Sequence, residues 1–145
     1  MCIRDSFRFL DWYLTTGIAE GWETLYIDQV LADYRVHAGN MHLAMVRDRT
    51  GERTSREVIE RLMSNGRRAE EKATHRRRVL ASHFLTYADK YFGCEMDADA
   101  RRCYWHAIGY APGLALQAGV VRRLAATLVG RRVYDSLKAR VATAG

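Results

Sequence analysis

Proline, glycine and cysteine are scarce in this chain, and long apolar runs are missing. One proline and 11 glycines among 145 residues exclude a fibrous or loop-dominated protein. The three cysteines (Cys2, Cys94 and Cys103) are too few and too scattered for a disulfide framework or a zinc site. The longest apolar run, 113–121, is far shorter than the ~20 residues of a membrane span, and no apolar signal-peptide core follows Met1. A globular protein of the reducing cytoplasm is therefore expected.

The charge balance is basic. The chain has 23 Lys and Arg against 17 Asp and Glu, a net charge of +6, with 48% hydrophobic residues. An excess of basic residues is typical of a protein that binds an anionic partner such as nucleic acid, phospholipid or a phosphate-bearing substrate. The alternative is that the arginines form an ordinary solvated surface. The arginines recur in pairs between apolar positions, without interleaved aromatics or a known nucleic-acid-binding module. We therefore predict no nucleic-acid partner.

The first six residues do not fit the pattern that follows them. Read back into codons, residues 1–6 (MCIRDS) resemble the end sequence that transposase-based library preparation attaches to DNA fragments. The alternative is that residues 1–6 are the natural beginning of the protein. On the first interpretation residues 1–6 are a sequencing-adapter artefact and native sequence begins near Phe7, with further protein expected before it.

The segment up to about Arg49 predicts a short α/β element. Apolar spacing predicts a helix over 7–19, followed by a turn at Gly21. Two strands are predicted next, over 24–27 and 33–37, and the Ala-Gly-Asn turn ends the second. A short helix over 41–49 completes this part.

The remainder, 50–145, predicts helices only. The first is capped by Thr54 or Ser55 and ends at Asn65-Gly66. Further helices are expected over 67–92, over 97–111 with Asp97 as the cap and Pro112 as the end, and over 114–129 and 132–141, divided at Gly130. The predicted inward positions are Val58, Ile59, Leu62 and Met63, then Ala69, Ala73, Leu80, Phe84, Tyr87 and Tyr91, then Ala100, Tyr104, Ala107 and Ile108.

Two of these helices have the spacing of a single tetratricopeptide-like hairpin of about 34 residues. Such repeats need neighbours to bury their faces, so one unit does not make a peptide-binding array. We interpret it as a helical hairpin that packs within the chain. The residues that carry the pattern are Phe84, Tyr87, Ala88 and Tyr91, followed by Ala100, Tyr104, Ala107 and Pro112.

Two motifs have residue types suited to catalysis. Asp11, among aromatics at a helix start, is either a general base or a helix cap. His37, at the end of a predicted strand, is either a metal or phosphate ligand or a structural histidine. Arg35 shares its strand face, because residues two apart point the same way, and could bind the same anion or form a structural salt bridge.

The order of these motifs resembles the C-terminal part of the catalytic domain of family 2 glycosyltransferases, which are inverting enzymes with the GT-A fold. The resemblance covers about 7–45, and the string Tyr-Arg-Val-His-Ala-Gly-Asn over 34–40 is its most specific part. It implies that Asp11 is the catalytic base and that His37 lies by the donor diphosphate and its metal. The family usually has a second acid just before the aspartate, where this chain has Leu10. Asn40 and His42 are weaker candidates.

The resemblance also implies partners and a domain layout. A nucleotide-sugar donor, a hydroxyl acceptor and a divalent metal (Mg or Mn) are expected in the full-length enzyme, in polysaccharide or glycoconjugate synthesis. The family's nucleotide-binding half and its Asp-x-Asp motif are not found, and Asp97-Ala98-Asp99 is interpreted as helix capping. We therefore predict that residues 7–49 close a GT-A domain, that 50–145 form a helical appendage, and that this fragment alone is inactive and holds no metal.

Two alternatives concern the helical part. It could instead be a non-enzymatic protein-interaction module built on the tetratricopeptide-like hairpin. Its last segment, 120–141, combines leucines and valines with five arginines and a lysine (Arg122, Arg123, Arg131, Arg132, Arg140 and Lys138). That composition would suit a helix lying on an anionic bilayer, which leaves a peripheral location at the inner membrane face open.

Overall fold

The computed structural model describes residues 9–33, 41–130 and 133–136. Of these residues 77% are helical, and none is in a strand. The prediction of a mainly α protein is confirmed. The elements, in chain order, are α1 (Leu10–Ala19), α2 (Met41–Arg47), α3 (Thr50–Ser64), α4 (Ala69–Gly93), α5 (Asp97–Tyr110), a 3-10 helix (Pro112–Leu116) and α6 (Ala118–Val129).

The chain divides into two compact units, Met1–Lys72 and Ala73–Gly145. The division falls within α4, whereas the domain boundary predicted from sequence lies between residues 49 and 50. That boundary stays a prediction. No helix in the described ranges is both long and apolar enough to cross a membrane.

The strand predicted over 24–27 is wrong. The backbone of these residues forms no regular structure, and the side chains of Leu25 and Tyr26 are exposed. A strand requires a neighbouring strand to accept its backbone hydrogen bonds, and the described residues provide none. The second predicted strand, 33–37, lies outside the described residues except for Asp33.

The core of the first unit comes mainly from α2 and α3. Met45 and Val46 of α2 and Val58, Ile59 and Leu62 of α3 are buried, whereas Met63 is half-buried. These α3 positions recur three and four residues apart, so they lie on one face of the helix. The predicted inner face of this helix is therefore confirmed for its three central residues.

The start of α3 differs from the prediction. The backbone N–H of Thr50 donates to Asp48 Oδ1 at 2.9 Å, and the Thr50 hydroxyl donates to the same oxygen. This interaction begins the helix at Thr50, four residues before Thr54. Ser55 lies inside the helix, where its buried hydroxyl donates to the Gly51 carbonyl at 2.7 Å. Neither Thr54 nor Ser55 is the N-cap, because the cap position is Arg49.

The second unit is organised around the α4–α5 hairpin. Leu80, Phe84, Tyr87 and Tyr91 of α4 are buried as predicted, whereas Ala69 and Ala73 are exposed. The stripe of buried residues therefore begins only at Leu80. The ring of Phe84 stacks on His106 of α5 at 4.8 Å between centroids, and α5 buries Ala100, Cys103, Tyr104 and Ala107.

Residues 94–96 connect the two helices tightly. The N–H of Cys94 donates to Lys90 O at 3.0 Å and that of Met96 to Tyr91 O at 2.9 Å. The helix α4 ends at Gly93 as predicted. Asp97, predicted as a cap, is instead the first residue of α5 and makes no capping hydrogen bond, since Met96 occupies the N-cap position.

The 3-10 helix and α6 pack against α5. The guanidinium of Arg101 donates to Thr127 O of α6 at 3.3 Å. Gly130 follows α6 with a φ of 84°, a conformation that residues with a Cβ avoid. The predicted end of the helix at Gly130 is therefore confirmed, whereas the single helix predicted over 114–129 is divided at Gln117 into the 3-10 helix and α6. Of the helix predicted over 132–141, only 133–136 lie in the described residues, and they are helical.

Candidate functional site

Asp11 lies in the first turn of α1 and its side chain is exposed. The ring of Trp12, next to it, meets Phe9 edge-on at 6.2 Å between centroids and is itself 38% exposed. The Thr15 hydroxyl donates to the Asp11 carbonyl oxygen at 2.9 Å, which engages the backbone and not the carboxylate. Asp11 makes no side-chain capping hydrogen bond, because Phe9 occupies the N-cap position. Its carboxylate is therefore open to a molecule arriving from solvent.

A polar cluster holds the other end of α1 in place. Lys72 Nζ lies 2.5 Å from Glu20 Oε1, and Asn65 Nδ2 donates to Glu20 Oε2 at 3.1 Å. Lys72 also donates to Asn65 Oδ1. The hydrogen bond from Lys72 is the main cause of the lowered pKa of Glu20. The cluster fixes α1, and with it Asp11, against the residues that follow α3.

A run of exposed apolar side chains follows α1. We call Trp22, Leu25, Tyr26, Val30 and Leu31 the apolar ridge; their exposed fractions lie between 73% and 90%. Isolated exposed apolar residues are common, but contiguous ones mark surfaces that contact another molecule or another part of the same protein. The sequence carries a signal for this surface, because large apolar residues are dense over 22–31, but their pattern predicts a strand over 24–27 and not an exposed surface.

The other predicted site residues are not brought together with Asp11 in the described residues. Arg35, His37 and Asn40 lie within 34–40, outside those residues. His42 is exposed in α2. The part of the chain that the structure describes holds no group of three or more His, Cys, Asp or Glu suited to a metal ion. The assignment of His37 as a metal ligand stays a prediction.

A second polar group joins three helices of the second unit. The buried Tyr104 hydroxyl of α5 donates to Asp89 Oδ1 of α4 at 2.6 Å, and Arg123 Nη1 of α6 lies 2.6 Å from Asp89 Oδ2. Burial, together with the hydrogen bond to Asp89, raises the pKa of Tyr104. Sequence reasoning predicted Tyr104 to point inward but did not identify these partners. With its hydroxyl buried and engaged, this group joins helices and does not present a reactive atom to solvent.

A shallow cleft of about 310 Å³ lies at the α2–α3 junction. It is lined by both acidic and basic side chains: Asp48, Glu52, Arg49, Arg53 and Arg56. The Asp48 carboxylate already accepts two hydrogen bonds from Thr50. The lining thus carries three arginines and two acids, and no single chemical role follows from this mixture.

Comparisons with known proteins were made at three levels. No protein-family model matches the sequence, and neither a curated protein nor a solved structure matches the chain.

Proposed function

We propose that residues 7–49 are the C-terminal part of a GT-A catalytic domain similar to that of family 2 glycosyltransferases, and that 50–145 are its helical appendage. The full-length enzyme would transfer a sugar from a nucleotide-sugar donor to an acceptor hydroxyl, in polysaccharide or glycoconjugate synthesis. The proposal rests first on the motif resemblance over 7–45.

The observation that carries it in the structure is the apolar ridge. Five large apolar side chains within ten residues are almost fully exposed, directly after the helix that bears Asp11. Burying apolar surface is favourable by about 25 cal/mol per Å². The exposure of this ridge therefore supports the proposal that a neighbouring domain covers it in the full-length protein. A GT-A domain would supply that cover.

Asp11 is the proposed catalytic base. A general base must reach the acceptor hydroxyl within hydrogen-bond distance and remove its proton as the oxygen attacks the anomeric carbon. The carboxylate is exposed in the first turn of α1, and the ring of Trp12, the next residue along the helix, is partly exposed. An aromatic ring beside the base offers a flat apolar surface on which a sugar acceptor can rest. Exposure of both groups supports this role.

Arg35 and His37 are proposed to face the donor diphosphate. A cationic guanidinium and an imidazole suit the negative charge that develops on the leaving nucleoside diphosphate. The divalent metal expected in the full-length enzyme would neutralise the same charge when bound, with His37 as a proposed ligand. Among the described residues, no three His, Cys, Asp or Glu side chains lie together, so the remaining ligands are expected from the rest of the enzyme.

The second candidate is a helical interaction module. The α4–α5 hairpin supports it, because the residues with tetratricopeptide spacing are buried except for Pro112, which is exposed. The same burial limits it, since the buried ring of Phe84 already stacks on His106 and Tyr110 within the unit. Further repeats of about 34 residues in the upstream gene would favour the module.

The test is a base-removal variant in the full-length enzyme that this proposal implies. Asp11→Asn should reduce sugar transfer at least 100-fold while donor binding, measured by calorimetry, is retained. Glu23→Gln is the matched control, because Glu23 is an exposed acid in the same unit. Near-normal turnover of Asp11→Asn would refute the assignment of Asp11 as the base. An upstream gene without an α/β domain that contains Asp-x-Asp would refute the proposal that the full-length protein is a glycosyltransferase.

A further inference from the structure

The helix α6 has its apolar residues on two opposite sides. Val120 and Thr127 are buried toward the rest of the second unit. At about 100° per residue, a second set of apolar side chains lies on the opposite side of the helix. We call this set the outer face of α6; its members, all exposed, are Ala118, Val121, Ala125, Leu128 and Val129.

The outer face exposes large side chains. Val121 is 45% exposed, Val129 55% and Leu128 69%. Apolar residues before and after α6 in the chain are exposed as well, since Leu116 of the 3-10 helix is 88% exposed and Val133 is 49% exposed. An ordinary surface helix carries polar residues on the side that faces water, whereas α6 also carries large apolar residues there. A helix of this kind is stabilised by a partner that covers its outer face.

The segment that contains α6 is basic in sequence. Residues 111–145 contain six basic residues and a single acid, Asp135, which gives this segment a net charge of +5. Arg122 is exposed beside the outer face, three residues before Ala125. Arg123 is bonded to Asp89 but retains a side chain that is 44% exposed. The partner should therefore be apolar at its centre and anionic at its rim.

We propose that the outer face of α6 binds the surface of an anionic lipid bilayer. A helix with an apolar face and a basic residue at its edge lies in the bilayer interface with the apolar side chains below the headgroups. Arg122 would attract anionic lipid there, as would the net positive charge of the segment 111–145. A second copy of the chain is a poorer occupant, because two outer faces pressed together would bring like-charged arginine edges into contact. This inference is independent of the proposed transferase activity.

The experiment is co-sedimentation of the 145-residue chain with vesicles of phosphatidylcholine alone and of phosphatidylcholine with 30% phosphatidylglycerol. We expect binding to the anionic vesicles at 0.1 M NaCl, with at least tenfold weaker binding to the neutral ones. Raising the salt to 0.5 M should weaken binding several-fold, because screening shortens the range of the arginine attraction.

Matched variants distinguish vesicle binding through the outer face of α6 from non-specific binding through other exposed residues. The pair Val121→Gln with Leu128→Gln should lower vesicle binding at least tenfold, whereas Leu25→Gln in the apolar ridge should leave it within twofold. Arg122→Gln should weaken binding more than Arg78→Gln, an exposed arginine of α4. Circular dichroism confirms that each variant is folded.

Three outcomes would overturn the proposal. They are absence of binding to the anionic vesicles, equal binding to neutral vesicles, and a Val121→Gln/Leu128→Gln variant that binds like the parent. A parent chain that dimerises in size-exclusion chromatography, and becomes monomeric only in that double variant, would assign the outer face to a second copy instead. None of these results depends on sugar transfer, so failure here leaves the proposed function to its own test.

Discussion

The hydroxyl of Tyr104 donates a 2.6 Å hydrogen bond to Asp89 Oδ1 and so ties α5 to α4 in the interior of the second unit. Tyr104 is fully buried, while Asp89 is 41% exposed and also pairs with Arg123. One carboxylate therefore holds two helices to a third.

Tyr104→Phe should destabilise the second unit, because it removes a hydrogen bond to a charged group. We expect a loss of roughly 1–2 kcal/mol in the free energy of unfolding, measured by urea titration with circular dichroism. Tyr26→Phe is the control, since the Tyr26 hydroxyl also donates to an aspartate, Asp28, but at 3.3 Å and on an exposed side chain. Equal losses in both variants would contradict the structural role of Tyr104.

The raised pKa of Tyr104 predicts a loss of stability in alkali. In the unfolded chain the phenol ionises near its ordinary pKa of 10.0, whereas the folded environment keeps it protonated to higher pH. Its contribution is therefore fully present below pH 10 and is lost as the pH rises beyond it. Other groups titrate there too, so the measured quantity is the difference between the parent and Tyr104→Phe. A difference that does not shrink above pH 10 would contradict the prediction.

The lowered pKa of Glu20 predicts a loss of folding stability in acid. Its ion pair with Lys72 stabilises the folded chain above the ordinary carboxyl pKa of 4.5, and this contribution is lost as the pH falls through the lower folded value. Glu20→Gln should lower stability at pH 7 by roughly 1–2 kcal/mol, with little difference from the parent at pH 2. Thermal unfolding at both pH values measures it; Glu23→Gln, at an exposed site, should show no such difference.

Two glycines of the α6 region should respond to alanine with opposite signs. Gly130 has a φ of 84°, and an added Cβ would lie 3.5 Å from Asp97 Oδ2, so Gly130→Ala should cost roughly 1–3 kcal/mol. Gly119 lies inside α6 with open space around its Cβ position, so Gly119→Ala should stabilise by up to about 1 kcal/mol. A stabilising Gly130→Ala would contradict the strained backbone. Urea titration measures both.

A single substitution at two sites tests whether the apolar ridge is exposed in solution. Val30 is 90% exposed and Val58 is fully buried, so Val30→Thr should leave stability within about 0.5 kcal/mol whereas Val58→Thr should cost roughly 1–3 kcal/mol. Thermal unfolding of the 145-residue chain measures both. A large loss from Val30→Thr would mean that the ridge is covered within this chain, which would remove the main structural support for the proposed function.

Local spacing predicted the helices well because helix packing follows a short period. The buried faces around Ile59 and around Tyr87 were predicted from apolar residues three and four positions apart. Helix starts were predicted poorly, because Thr54, Ser55 and Asp97 are residue types that favour caps but can also lie within a helix. The contact that begins α3, between Asp48 and Thr50, lies several residues before Thr54 and Ser55, the predicted cap positions.

Contacts between distant residues were beyond the reach of a single sequence. Glu20 and Lys72 are 52 positions apart, and no local pattern pairs them. The segment 24–27 was misjudged for a related reason, because its composition favours a strand but a strand also needs a partner. For the candidate site, the sequence placed Asp11 on a helix correctly, whereas Arg35 and His37 lie outside the described residues.

The three-residue connection between α4 and α5 has a kinetic consequence. Tyr104 and Asp89 are 15 positions apart, and Phe84 and His106 are 22 apart, so the contacts of this hairpin close short loops. Contacts of low sequence separation form rapidly, in microseconds to milliseconds for helical proteins. The hairpin is thus suited to be the first part of the second unit to fold, and its interior tyrosines to be among the last to exchange their amide protons with solvent.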